Sequence, residues 1–520
     1  MDKPGTACQA AAACAATTGR QRNRPRLNGH IGDDSSRKDG MSEDDDDKRI
    51  CHDCVGETYL AQQIEKDGQP GDCSYCGQTL ACIPITELAD HIETAFADHY
   101  VRTANYPDSW QERAMADRES SYEWEREGQP VLDAIEEAAS ILGDAAADVL
   151  EILDDRHGDF DSAAMGEETE FSGDTCYEVK GASAQAWHEE WNGFEQSLKT
   201  EARFFSRSAT ELLARIFGQI DALKTKPRRP LVVDAGPNSQ LNHLYRARVF
   251  QSTERLEEAL CRPDLHLGSP PARLASGGRM NARGISVFYG ATSAGVALAE
   301  VRPPVGSKVA VARFNIIRPL RLLDLTALDG VQDGGSIFDP SLKNRLERVA
   351  FLRTLGERMT RPVMPDDEAF AYLATQAVAD FLATDNDPRL DGIIFGSAQA
   401  KTGRNVVLFH KAARVEALQF PEGTVIAARA GYDTEEGWEI DYGVSEAVPK
   451  AKEPAPPEGD DLMIFDPGPY LDHRAGSDTR DVALRVDTGA VEVHHVEWVK
   501  VNSTRFDVSR HRHEKRDLKF

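Results

Sequence analysis

The spacing of apolar positions changes several times along this chain, and each change marks a different kind of structure. From Ile85 to about Ala104 the residues Ile85, Leu88, Ile92, Phe96 and Val101 recur at helical intervals. Val131 to Leu153 repeats the pattern through Ile135, Leu142, Val149 and Ile152. A third helix is predicted from about Ala184 to Ala222, with Trp187, Trp191, Phe194, Leu198, Phe204, Phe205, Leu212, Leu213 and Ile216 as candidate core positions. The stretch Lys224 to Pro230, with two prolines among four basic residues, breaks that pattern and predicts a domain boundary.

Beyond the boundary the period shortens. β-type runs over Ile285–Tyr289, Lys308–Phe314, Ile393–Phe395 and Val406–Phe409 alternate with helical runs over Leu342–Met359 and Phe370–Leu382, which predicts an α+β domain. Residues 449–460 are rich in proline and read as a linker, and the alternation from Val482 to Val501 predicts one hairpin before a charged tail. Residues 1–45 have no sustained periodicity and run into Glu43-Asp44-Asp45-Asp46-Asp47-Lys48, so they are expected to be disordered; Met41 is a second candidate start. The expected division is therefore 1–45 disordered, 46–84 a cysteine-bearing ribbon, 85–225 helical, 230–415 the α+β domain, and 416–520 a carboxyl-terminal extension.

Charge narrows the functional classes. With 60 basic and 87 acidic side chains the net charge is −27, which repels phosphate backbones, so no nucleic-acid partner is expected. The sequence holds no apolar run long enough for a membrane span and no secretory core at its start, so a cytoplasmic, membrane-free protein is expected.

Four of the nine cysteines form Cys51-x2-Cys54 and Cys73-x2-Cys76, separated by 18 residues. Two tight turns at that spacing present four thiolates to one tetrahedral ion, and Gly77 supplies the small residue such a turn uses. A closed four-cysteine Zn²⁺ site of structural role is expected, organising residues too few to build their own core. The surrounding residues carry few bases, so a protein partner suits this ribbon better than a nucleic acid.

The candidate chemistry lies in Gly278-Arg279-Met280-Asn281, Val287-Phe288-Tyr289 and Ala297-Leu298-Ala299-Glu300. A guanidinium suits a pyrophosphate oxygen, a phenol ring stacks on a flat cation, and a carboxylate stabilises positive charge developing at a ribose carbon. Spacing alone leaves open an internal Arg279–Glu300 salt bridge and a Tyr289 that merely packs in a strand. The set extends to Leu244-Tyr245-Arg246, Tyr372-x-x-Thr375-Gln376, Asp391-Gly392-Ile393-x-Phe395-x-Ser397 and Asn405-Val-Val-Leu-Phe409. In this order and with these gaps it resembles the RES domain, over roughly 180 residues.

That resemblance implies an ADP-ribosyltransferase-like fold and consumption of NAD⁺ by glycohydrolysis or phosphorolysis, in a toxin or defence effector. It implies catalytic roles for Arg279, Tyr289, Glu300 and Ser397, and NAD⁺ contacts from Arg246, Asn281 and Asn405. The upstream ribbon and helices resemble the HEPN-related amino-terminal region of longer RES proteins. The third helix has no Arg-x4–6-His pair, so RNA cleavage is not expected. An antitoxin or regulatory protein partner and homo-oligomerisation are expected with the resemblance. Two other readings keep the fold: ADP-ribosyl transfer to a macromolecule, and a zinc-dependent interaction protein whose RES scaffold is inactive.

Overall fold

The structure, a computed structural model, describes residues 48–117, 119–226, 228–449 and 478–512. The expected disordered segment 1–45 and, from residue 450 onward, the expected linker lie outside the described residues. Among the described residues no helix is long and apolar enough to cross a membrane.

The amino-terminal half is built on a three-stranded antiparallel ribbon in the order Arg49–Cys51, Thr79–Pro84, Gln69–Asp72. Its apolar residues Ile50, Val55, Leu60 and Ile64 do not form a separate core. They merge with Leu88, Ile92 and Phe96 of the helix Ile85–His99 and with Ile135 and Val149 from the region 131–153. Where one helix was expected over 131–153 there are two, Val131–Ala139 and Gly143–His157. Ser140 between them turns left-handed at φ 51°, and Leu142 points to solvent. Tyr75 of the ribbon donates to Asp148 Oδ2 at 2.8 Å, fastening the cysteine turns to the second of these helices.

The expected helix over 184–222 is likewise two, Gln185–Thr200 and Arg207–Phe217, broken at a turn in which Phe205 has φ 61°. Their apolar faces do not complete the amino-terminal core. Trp187, Trp191, Leu213, Ile216 and Phe217 pack instead against Phe351, Leu355 and Phe381 of the carboxyl-terminal half. Periodicity identifies the buried face of a helix but not what that face meets.

Among the described residues the main sheet has nine strands, and five central ones position the site. In spatial order these are Lys308–Ile316, His243–Phe250, Phe288–Ala291, Arg404–Leu408 and Gly392–Gly396, each of the five antiparallel to the next. Alternate side chains feed two cores. Leu323, Ile393 and Val407 face the helices on one side, while Leu322, Ile394 and Val406 face Leu256 and Leu260 on the other. Both halves therefore mix helices with sheets, and the chain is α+β.

The long helix Leu342–Thr360 joins the halves. Just before it, Phe338 is buried in the amino-terminal core, and Lys343 in its first turn reaches Asp98 at 2.6 Å.

One expectation for the carboxyl-terminal region is corrected. Val482–His495 is not a hairpin but one strand, paired with Lys308–Ile316. Its turn-like Thr488-Gly489-Ala490 is a bulge: Arg313 faces Asp487 while Ala312 faces Val491, so the three residues between are looped out. The hairpin of this region is Val425–Thr434 with Gly437–Ala447.

Candidate active site and cysteine cluster

Where strands His243–Phe250 and Phe288–Ala291 meet, they pair only at Tyr245 and Ala291, and the register continues from Ala291 to Asn405 and from Asn405 to Phe395. These four residues form one row across four strands, on the face that also carries Tyr289. The short helix Ala294–Glu300 leaves this sheet immediately after Ala291 and is capped by Ser293, which accepts from Val296 N. Its last residue, Glu300, is thereby brought over the row. The space enclosed is a cavity of about 350 Å³, lined by Tyr245, Arg246, Arg279, Tyr289, Glu300 and Asn405 among others.

Each of the expected site residues can be placed. Arg279 is clamped through its backbone: Thr375 Oγ1 donates to Arg279 O at 2.5 Å, and Gln376 Nε2 donates to the adjacent Gly278 O at 2.8 Å. Its guanidinium donates to Met359 O at 3.0 Å and lies 4.8 Å from the centre of the Tyr372 ring. It makes no ion pair with Glu300, so the internal salt bridge left open by the sequence does not form. Tyr289 presents its ring to the cavity and donates its hydroxyl to Asn281 Oδ1 at 3.0 Å while accepting from Met280 N at 2.9 Å. Burial pushes this phenol up to about 12, so at neutral pH it is a hydrogen-bond donor. Gly278 is required beside it, because a Cβ there would lie 2.9 Å from the phenol oxygen.

Glu300 Oε1 accepts from Ser397 Oγ at 2.5 Å, and Ser397 Oγ in turn accepts from the backbone N–H groups of Gln399 and Ala400 at 3.1 and 3.0 Å. The serine is thus oriented by its own turn and donates its hydroxyl hydrogen bond to the carboxylate. Ser397 stands behind Glu300 rather than on the cavity wall. Arg246 Nη1 donates to Tyr289 O at 3.2 Å. Burial, with repulsion from Arg248, pushes it down to about 10, and it stays cationic at neutral pH. Asn405 is 6 % exposed, and among the described residues its amide has no hydrogen-bond partner.

Asn281, expected to contact the ligand, also stands off the cavity. Its amide nitrogen is taken by the carbonyls of Ser276, Ala282 and Ile285 and its oxygen by Tyr289. It holds the loop and the phenol in place instead of a ligand.

Two further lining side chains with chemistry to offer carry no role in the sequence reading. Tyr372 stands within its motif unassigned, and Arg302, two residues past Glu300, was missed. Arg302 has φ 44°, and Gln399, with its amide oxygen turned inward, accepts from its Nε and Nη2 at 3.0 and 2.8 Å. The signal was the following Pro303-Pro304, which ends the helix and leaves the preceding charge at its rim. Arg246, Arg279 and Arg302 against the single acid Glu300 leave the lining with two excess positive charges, and among the described residues none of the three arginines forms an ion pair.

The cysteines converge as their spacing predicts. Cys51 Sγ lies 3.6 Å from Cys76 Sγ and Cys73 Sγ 3.8 Å from Cys54 Sγ, with all four ligand atoms within 4.8 Å of one another. Four sulfurs at about 2.3 Å from one ion stand about 3.8 Å apart, so the set fits a tetrahedral metal. Burial opposes ionisation of Cys73, but backbone N–H groups, including those of Cys76 and Cys51, bring it down to about 7. Gly77 takes the left-handed turn at φ 68°.

Two family models match the chain: RES domain over residues 245–427, and HEPN/RES N-terminal domain 1 over residues 66–212. No curated protein and no solved structure matches it.

Proposed function

For a chain that carries a RES domain behind a HEPN/RES N-terminal domain, we propose that the cavity binds NAD⁺ and cleaves its nicotinamide–ribose bond. The observation that carries this reading is a Glu300 carboxylate held by Ser397 in a cavity whose lining has two positive charges in excess. A dinucleotide pyrophosphate brings two negative charges, which in this reading Arg246 and Arg279 of the lining pair. Tyr289 offers its ring to the nicotinamide, and the free amide of Asn405 offers hydrogen bonds to ribose or phosphate.

As the glycosidic bond breaks, its electron pair leaves with nicotinamide and the ribose carbon becomes oxocarbenium-like. Glu300 stabilises that charge only as it develops, which lowers the barrier without tightening the ground state. Water then bonds through its oxygen to that carbon and loses a proton to solvent, or an anionic phosphate oxygen bonds to it directly with no proton to lose. We place the chain among toxin or defence effectors, with zinc at the four cysteines holding the amino-terminal module as a regulator. The test is to incubate purified protein with NAD⁺, with and without inorganic phosphate, and identify the products. Free nicotinamide is expected. NAD⁺ left intact refutes the proposal, and label transferred to protein favours ADP-ribosyl transfer.

A further inference from the structure

The hairpin Val425–Thr434/Gly437–Ala447 is a two-stranded sheet of its own, with both outer edges unpaired among the described residues. The base of Gly437–Ala447 rests on the body, where Tyr442 packs against the sheet's second core. Alternation puts Trp438 and Ile440 on the same strand face farther out, and each is 60 % exposed. A free edge with exposed large apolar residues pairs readily with another strand. Charge decides which one. Residues 433–441 hold five acids, Asp433, Glu435, Glu436, Glu439 and Asp441, and no base. Two such tips repel each other, so hairpin-to-hairpin pairing is disfavoured.

The complementary element is in the same chain. After Val496, which exchanges backbone hydrogen bonds with Gly306 and Ser307, the chain leaves the sheet as an arm without regular secondary structure. Trp498, Val501, Phe506 and Val508 along it are each at least 73 % exposed. From Glu497 to Arg510 no backbone hydrogen bond joins the arm to another described residue. Residues 498–512 hold Lys500, Arg505, Arg510 and Arg512 against Asp507 alone, a surplus of three positive charges in a chain of net charge −27. The arm's root adjoins its own hairpin, His495 Nε2 lying 2.7 Å from the Tyr442 hydroxyl, yet the arm leaves that hairpin's tip uncovered.

We infer that the acidic hairpin tip of one copy receives the basic arm of a second copy, so that a pair of chains exchanges arms. Apolar contacts from Trp498 and Phe506 onto Trp438 and Ile440 supply burial, and the opposed charges fix the partner and its direction.

The test is sedimentation of the full chain and of two charge-reversed variants, Glu435→Lys/Glu436→Lys/Glu439→Lys in the tip and Arg505→Glu/Arg510→Glu in the arm. The unaltered chain should show twice the monomer mass, with association weakening as salt rises from about 50 mM to about 500 mM. Each variant alone should be monomeric. Mixed, the two should restore the doubled mass, because each arm then meets a tip of opposite charge on the other chain. An unaltered chain that is monomeric at tens of micromolar overturns the inference. So do variants that stay dimeric, or monomeric variants that fail to associate when mixed, as expected if each arm folded onto its own hairpin.

Discussion

Ser397→Ala removes one oxygen atom and tests how the proposed site works. Ser397 touches Glu300 and its own turn but not the cavity, so its effect on turnover should pass through the carboxylate. A hydrogen bond to a charged group contributes about 1.5–3 kcal/mol. At about 1.4 kcal/mol per tenfold, its loss should lower kcat about 10- to 150-fold. Glu300→Gln removes the developing-charge partner itself and should cost about 10²- to 10³-fold in kcat with NAD⁺ affinity nearly unchanged. In the Glu300→Gln background, Ser397→Ala should add less than about threefold, since the interaction it supports has already gone. The assay is initial-rate release of nicotinamide, with kcat and KM resolved for all four proteins. If the two losses multiply in full, Ser397 does not act through Glu300 and the assigned geometry is wrong.

Arg279→Ala should show the opposite kinetic pattern, weakening NAD⁺ binding on the Glu300→Gln background about 10-fold or more by titration calorimetry, because it removes a charge-assisted contact present before and during bond cleavage. Tyr289→Phe should destabilise the fold by about 1–3 kcal/mol in urea denaturation, since Asn281 Oδ1 and Met280 N lose their shared partner; an unchanged midpoint would show that water replaces the hydroxyl. Elemental analysis should find one zinc per chain, and Cys73→Ser should lose it and melt the amino-terminal module at lower temperature. A metal-free chain of undiminished stability would rule out the structural ion.

What the sequence made legible was whatever its local pattern encodes. Cys51, Cys54, Cys73 and Cys76 converge because two turns suffice to bring them together. Glu300 was legible as the end of a short helix, and Ser397 through its family motif. Partnership across distance was not legible. Gln185–Thr200 shows its apolar stripe plainly, but its contact with Phe351 lies more than 150 residues away. Val482–His495 alternates as a strand should, yet a bulge opposite Arg313 imitates a turn, because both loop out polar and small residues. Asn281 sits in a site motif, and only the three carbonyls around its amide reveal that it serves the backbone. The domain division drawn from composition remains a proposal, and the shared cores cut across it at Gln185–Phe217.

The long helix Leu342–Thr360 has one more consequence. Its leading turn is tied to the amino-terminal core by Phe338 and Lys343, and its last turn supplies the Met359 carbonyl to Arg279 and Thr360 to the cavity wall. Nineteen helical residues span about 28 Å at about 1.5 Å each, so the two distant ends are joined by one continuous solid element. Binding free energies across such an element are reciprocal. A protein that grips the amino-terminal core and alters affinity for ligand in the cavity by some factor must itself be gripped more or less tightly, by the same factor, when the cavity is filled.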